Sequence, residues 1–363
     1  MRQSLFTLLL FFISHTTMAQ VILLEQSPRH YICYRTNSEM TVDGKLDEKE
    51  WDLVDWTDTF VDIEGDKKPL PYYETKVKML WDDNYLYIAA QLEEPHLWAT
   101  YTERESVIFH ENNFEVFIDP NGDTHNYYEY EVNALGTEWD LMMTMPYRYN
   151  GLPINAWDIA GLKAGIDLQG TLNDPSDIDR GWTVELALPW NTIKESAIRG
   201  PGPFAGDQWR INFSRVQWRL DIVDGEYTKT INPETGKPYP EHNWVWSPQH
   251  VIDMHKPEYW GVLQLSGIEA GKGKENYSRD PDFETKIILR ELFDQQHAYK
   301  RKHNRFAYTI DELDFHHEIL NKRNIVFDVV DNRFTLSCKA AEKGTSWYIR
   351  EDSKIWKAAS YKQ

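Results

Sequence analysis

The sequence predicts a mainly β protein: an antiparallel β-sandwich, jelly-roll-like, followed by a small α+β domain. Three observations carry this expectation. Many short runs alternate apolar with polar residues between turn signals. Thirteen of the fifteen tryptophans lie before residue 270, so the composition changes there. Beyond that point, Glu284 to Lys302 switches to helical spacing, with Ile287, Ile288, Leu292 and Phe293 set among good helix formers.

The elements follow in order. Arg2 precedes the apolar stretch Leu5 to Ile13, which is too short to span a bilayer, and Thr17-Met18-Ala19 then offers small residues. Residues 1–19 therefore read as a secretory signal peptide. No later stretch is apolar enough for a membrane helix, so the mature chain is expected in the periplasm or outside the cell, without a membrane anchor. Lys76 to Trp81 and Tyr85 to Leu92 flank the polar turn Asp82-Asp83-Asn84, a hairpin signal. Phe114 to Ile118 and Asn126 to Ala134 alternate around Pro120-Asn121-Gly122-Asp123, so that Tyr128, Tyr130 and Val132 face one way and Glu129, Glu131 and Asn133 the other. Glu138 to Met145, Trp182 to Leu188, Gln208 to Trp218 and Tyr259 to Leu265 supply further strands, with about one helical turn after Trp190. The polar stretch Gly271 to Asp280 reads as a linker. It places the domain boundary within residues 266–277, giving a sandwich over 20–268 and an α+β domain over 269–363 with strands at Asn324 to Val330, Arg333 to Cys338 and Ser346 to Ile349.

The formal charge is −19, which repels phosphate backbones and anionic membranes, so nucleic acid is not an expected partner. Outside the cell, carboxylates serve two specific ends: they bind calcium, and they accept hydrogen bonds from sugar hydroxyls. Cys33 and Cys338 are the two cysteines; export permits a bridge between them, and two buried thiols are the alternative.

Four segments recur in a telling order: Val42-Asp43-Gly44 leading to Trp51, Trp81 to Tyr87, Glu111 to Pro120, and Gly181 to Glu185. With Asn243 to Ser247 as an aromatic fifth, the series resembles the family 9-like carbohydrate-binding modules of the DOMON-like β-sandwich superfamily, over residues 30 to 266. The resemblance implies an oligo- or polysaccharide partner gripped between two aromatic rings, whose faces pack on the C–H face of a pyranose. Phe109, six residues before the strand glutamate Glu115, takes the first ring position, where the family has tryptophan. Trp244 or Trp246 takes the second. Glu115, Asn133 and Asn243 would bond the sugar hydroxyls. Glu131 stands where the family places arginine, and Arg215 could supply that cation from another strand.

The resemblance also implies structural calcium, and Asp119, Asn121 and Asp123 offer oxygens at alternate positions of a turn, for which a plain Asx-turn is the alternative. Two other functions stay open. A glycoside hydrolase would draw two carboxylates from Glu111, Glu115, Glu129, Glu131 and Asp140. A haem-binding sandwich would use Met142, Met143, His110 and His125, although no CxxCH motif is present. No segment carries a catalytic motif.

Overall fold

A computed structural model describes residues 27–197, 203–313 and 324–360. The expected signal peptide lies outside the described residues. Among the described residues, fifteen strands precede the long helix. They are β1 (His30–Arg35), β2 (Val61–Asp62), β3 (Thr75–Trp81), β4 (Tyr85–Glu93), β5 (Asn113–Asp119), β6 (Tyr127–Asn133), β7 (Glu138–Met143) and β8 (Pro153–Ile154). Then come β9 (Lys163–Gln169), β10 (Gly181–Pro189), α1 (Trp190–Ile193), β11 (Gln208–Gln217), β12 (Leu220–Val223), β13 (Glu226–Lys229), β14 (His242–Val245) and β15 (Gly261–Glu269). The hairpin predicted around Asp82 and the single turn after Trp190 are both present.

Thirteen of these strands form one sheet in the order β8-β7-β6-β5-β11-β15-β1-β3-β4-β10-β9, with β14 beside β11 and β2 beside β14. The sheet folds over on itself. Val116, Tyr130 and Phe213 from β5, β6 and β11 share one apolar core with Val77, Ile88 and Val184 from β3, β4 and β10. This is a sandwich, and its pairing is antiparallel except at β1, which runs parallel to both β15 and β3. Strand alternation places Phe114, Val116, Ile118, Tyr128, Tyr130 and Val132 in the core, as the period of two requires. The opposite face of β5 and β6 is also buried, because Trp260 and Met254, from the segment after β14, pack there on Phe117, Tyr127, Leu141 and Met143.

The Val42-Asp43-Gly44…Trp51 motif has a mechanical explanation. Glu185 on β10 is fully buried, and its Oε2 accepts the backbone N–H groups of Asp43 (3.0 Å) and Gly44 (3.1 Å). Its Oε1 accepts the Trp51 indole N–H at 2.9 Å. One carboxylate thus pins both ends of the motif to the second layer of the sandwich. Gly44 is required twice over: its φ is +88°, and a Cβ there would lie 2.6 Å from the carbonyl carbon of Ile166. Gly44→Ala should therefore cost about 3 kcal/mol or more of stability, a backbone effect of the large class. Urea unfolding monitored by tryptophan fluorescence checks this; a loss under 1 kcal/mol would contradict the latch.

Beyond the sandwich, α2 (Phe283–His303) packs on a four-stranded antiparallel sheet of β16 (Ile325–Val330), β17 (Arg333–Lys339), β18 (Thr345–Arg350) and β19 (Ile355–Ala359). Ile288, Leu292 and Phe293 of α2 meet Phe334, Leu336 and Ile349 in a second core. Of these strands, β19 was not expected. Cys33 lies in the first core and Cys338 in the second; both are buried thiols, so no bridge joins them. Among the described residues, no helix is long and apolar enough to cross a membrane.

Candidate functional site

The outer face of β11, β5, β6 and β7 carries an unusual row. Ser214, Glu115, Glu131 and Trp139 stand opposite one another across the four strands. One pleat further along, Asn212, Phe117, Glu129 and Leu141 form the next row. Three glutamates thus share one patch, and all are buried, Glu131 to 1% exposure. Asn113 on β5 donates from its amide nitrogen to Glu115 Oε1 and Glu131 Oε2, both at 3.0 Å. No arginine or lysine pairs with any of the three among the described residues. The nearest basic nitrogen recorded is His255 Nε2, 4.0 Å from Glu129 Oε2, and that oxygen has no hydrogen-bond partner.

The electrostatic consequence is direct. Burial pushes Glu115 up to about 7. Burial, then the charge of Glu115, takes Glu129 to about 8. Glu131, buried between both, is raised well above the usual carboxylate range. Burial and nearby Arg148 lower His255 to about 3, so its ring is neutral at physiological pH and does not compensate the row. Such a patch holds protons, or meets a ligand that donates hydrogen bonds.

Aromatic rings border the row. Phe109 sits in a short 3-10 turn (Ile108–His110), is 37% exposed, and lies nearly parallel to Trp139 with ring centroids 6.5 Å apart. The Trp218 indole N–H donates to the Phe109 carbonyl at 3.0 Å and fixes that turn. On the other side, exposed Tyr147 meets His255 edge to face at 4.6 Å. Asn243 on β14 is half-buried and sits opposite Val216, on the same face as Asn113 and Glu115.

The structure therefore brings together Phe109, Glu115, Glu131 and Asn243, and separates the other expected residues from them. Trp246 is 1% exposed and fills the first core against Phe213 and Gly261, where a Cβ on Gly261 would lie 2.3 Å from its ring. Trp244 is also in that core. Neither offers a free ring face beside Glu115. Arg215 stands opposite Phe114 and Trp244, on the core side, and its Nη2 pairs with buried Glu94 at 3.0 Å. It cannot supply a cation to the glutamates, which lie on the far side of the sheet. Asn133 is on the correct face but is spent on local structure. Its amide nitrogen donates to Tyr101 O and Glu111 Oε1, and its oxygen accepts from Leu135 and Thr137 N–H. It has no capacity left for a sugar.

Asp119, Asn121 and Asp123 do not fit a calcium ion. Asp119 accepts the N–H groups of Gly122 and Thr124 on its two oxygens, at 2.9 and 2.8 Å. Asn121 Oδ1 accepts from Asp123 N–H, and Asp123 Oδ1 from His125 N–H. Asp123 Oδ2 faces the Lys354 ammonium at 3.2 Å. Calcium wants six or more converging oxygens; these are turned to backbone donors and a cation. The turn docks the second core instead. Thr124 Oγ1 bonds Ser353, and Ile355 N–H donates to the Asp123 carbonyl. Among the described residues, the acidic groups whose oxygens converge are Glu105, Asp140 and Asp158, and the Arg104 guanidinium already pairs with all three.

The two alternative chemistries lose groups as well. Glu111 Oε2 accepts from Thr100 N–H and Oγ1, and Asp140 is held by Arg104 and Ile159 N–H, so neither is available as an acid or base. Met142 and Met143 face opposite sides of β7, one against the first core and one buried beside Trp260. Two residues carry structure that sequence reasoning passed over. Glu185 anchors the Asp43–Trp51 motif. Glu94 neutralises Arg215, and its position directly after the β4 alternation was the available signal.

Residues 42–201 match the family model described as carbohydrate family 9 binding domain-like. Endo-1,4-beta-xylanase A of Thermotoga maritima is 29% identical over 155 residues, and exoglucanase XynX of Acetivibrio thermocellus is 28% identical over 153; each match covers 42% of this chain. The chain spans only 12% of the length of either enzyme. A solved family 9 carbohydrate-binding module of Caldicellulosiruptor kristjanssonii, in complex with cellotriose, shares 15% identity, with a TM-score of 0.42 over 69% of this chain and all of that one.

Proposed function

We propose that this chain, whose residues 42–201 match the carbohydrate family 9 binding domain-like model, is an exported protein that binds oligo- or polysaccharide on the outer face of β5 and β6 without cleaving it. The observation that carries this is the placement of exposed Phe109, backed by Trp139, beside the Glu115–Glu131 cross-strand pair. A pyranose stacked on Phe109 turns its hydroxyls towards groups that accept hydrogen bonds, and Asn243 adds an amide at the rim. One exposed ring gives a platform rather than a clamp, so the affinity rests more on the polar row. The row also selects: uronic acids, which bring a further negative charge, should be refused.

Calorimetry of the chain against a panel of neutral and acidic oligosaccharides tests the proposal. A neutral sugar should bind saturably, and Phe109→Ala should weaken it about tenfold or more, since an aromatic contact of this kind is worth roughly 1–2 kcal/mol. Phe109 is exposed, so the variant should fold. Absence of binding across the panel, or equal binding by Phe109→Ala, would refute the platform.

A further inference from the structure

We propose that the cleft between the sandwich and α2 is a binding site for a small oxyanion, sulfate or phosphate in form, held by Arg210 and Arg290. The cleft has a volume of about 130 Å³, and Arg210, Tyr277, Asp280, Lys286 and Arg290 line it. A liquid water occupies about 30 Å³, so the space takes several waters or one tetrahedral anion. It lies apart from the glutamate row, and the inference does not depend on sugar binding there.

The argument is one of charge. Lys286 is matched: its ammonium is 2.6 Å from Asp280 Oδ2. Glu258, at the edge of the cleft, is taken by Arg148 at 3.0 Å. Arg210 and Arg290 are different. Each donates to a backbone carbonyl, Arg210 to Trp260 and Arg290 to Ser353. Among the described residues, neither is in an ion pair. Arg290 is 6% exposed. Burial lowers both guanidiniums, and the carboxylates that act on them, Asp119 and Asp280 on Arg210 and Glu258 and Asp119 on Arg290, pair directly with neither, while the two cations repel one another. A guanidinium has five N–H donors in a fixed fork, and each of these two makes one recorded hydrogen bond while lining the cleft. Two like charges held out of bulk water with no carboxylate in direct contact are costly. A tetrahedral oxyanion answers both needs, because its oxygens accept from two forks at once. In a chain of formal charge −19, this is a local exception to the overall repulsion of anions.

Calorimetry and thermal unfolding of the full chain in sodium sulfate, sodium phosphate and glucose 6-sulfate, against sodium chloride at equal ionic strength, test the site. Saturable one-site binding by sulfate or phosphate is expected, with a rise in Tm that chloride does not reproduce. Arg210→Gln should weaken it at least tenfold. Arg210→Lys keeps the charge and loses the fork, and should weaken it several-fold; it serves where the glutamine variant does not fold. Binding of glucose 6-sulfate as tightly as sulfate identifies a sulfated sugar as a source of the anion, whereas binding of the free ions alone limits the site to inorganic anions. No saturable binding, a Tm rise equal to that in chloride, or unchanged affinity in both variants overturns the proposal.

Discussion

Glu131→Gln should make the protein more stable at pH 8, by on the order of 2 kcal/mol, and should flatten the loss of stability between pH 6.5 and 8. The sign follows from the row. Burial and mutual repulsion raise Glu115 to about 7 and Glu129 to about 8, with Glu131 raised as well. In the unfolded chain all three titrate near the ordinary glutamate value of 4.5. Between these limits the folded state holds more protons than the unfolded state. Stability from the row is therefore fully present below about pH 4.5 and is lost as pH rises through 7 to 8. His255 acts oppositely, but only lower down: its value falls from 6.5 to about 3, so its contribution grows as pH rises to 6.5 and is constant above that. The window from 6.5 to 8 thus isolates the glutamates from His255.

Other groups face the row, namely Tyr127, Tyr147, Ser214 and, by its charge, Glu241; none is replaced in the variant, so they cancel in the difference. Glutamine keeps an oxygen for the Asn113 amide and adds a donor towards Glu129. Urea unfolding of both proteins at pH 6.5, 7.25 and 8 gives the answer. Parallel slopes, or a variant less stable at pH 8, would mean that the row is solvated or paired with a cation. The same variant links stability to function: if the carboxylates serve as sugar acceptors, stabilisation at pH 8 comes with weaker binding. Like charges kept together at the expense of stability mark the row as a candidate ligand site.

Much of this was visible in the chain. Period-two alternation placed Tyr128, Tyr130 and Val132 inwards and Glu129 and Glu131 outwards, because a strand has one degree of freedom and the apolar set decides it. What covers Phe117, Tyr127, Leu141 and Met143 on the outward face was not visible, since the segment after β14 reaches them through tertiary packing. The assignment of Trp246 failed for a reason the same rule contained. Asn243 and Trp246 are three residues apart, and in an extended segment such residues face opposite sides; with Asn243 outside, Trp246 must be inside. The Asp119 turn was ambiguous for a different reason. Oxygens at alternate positions describe a metal loop and a nest of Asx-turns equally well, and only the position of Lys354, far along the chain, separates them.

Arg215→Ala should cost about 3–5 kcal/mol, the largest single loss expected outside the tryptophan core. Arg215 is 1% exposed, and its guanidinium makes four hydrogen bonds: to Gln217 Oε1 (2.9 Å), Thr75 Oγ1 (3.1 Å), the Glu93 carbonyl (2.8 Å) and Glu94 Oε2 (3.0 Å). Tyr73 and Trp244 lie 5.6 and 5.4 Å from its centre. Truncation strands Glu94, which burial already pushes upward and which Arg215 is the first group to pull back. It also leaves a void under Trp244 that water cannot fill without wetting the core. A double replacement, Arg215→Met with Glu94→Leu, should recover most of the loss, because removing both charges removes the need to pair them. Sugar affinity decides what the arginine is for. If it served the ligand, both variants would lose binding in proportion to the missing cation. Because it faces the core, the double variant should bind neutral sugars as the native chain does, and a selective tenfold loss in that folded variant would return Arg215 to the binding site.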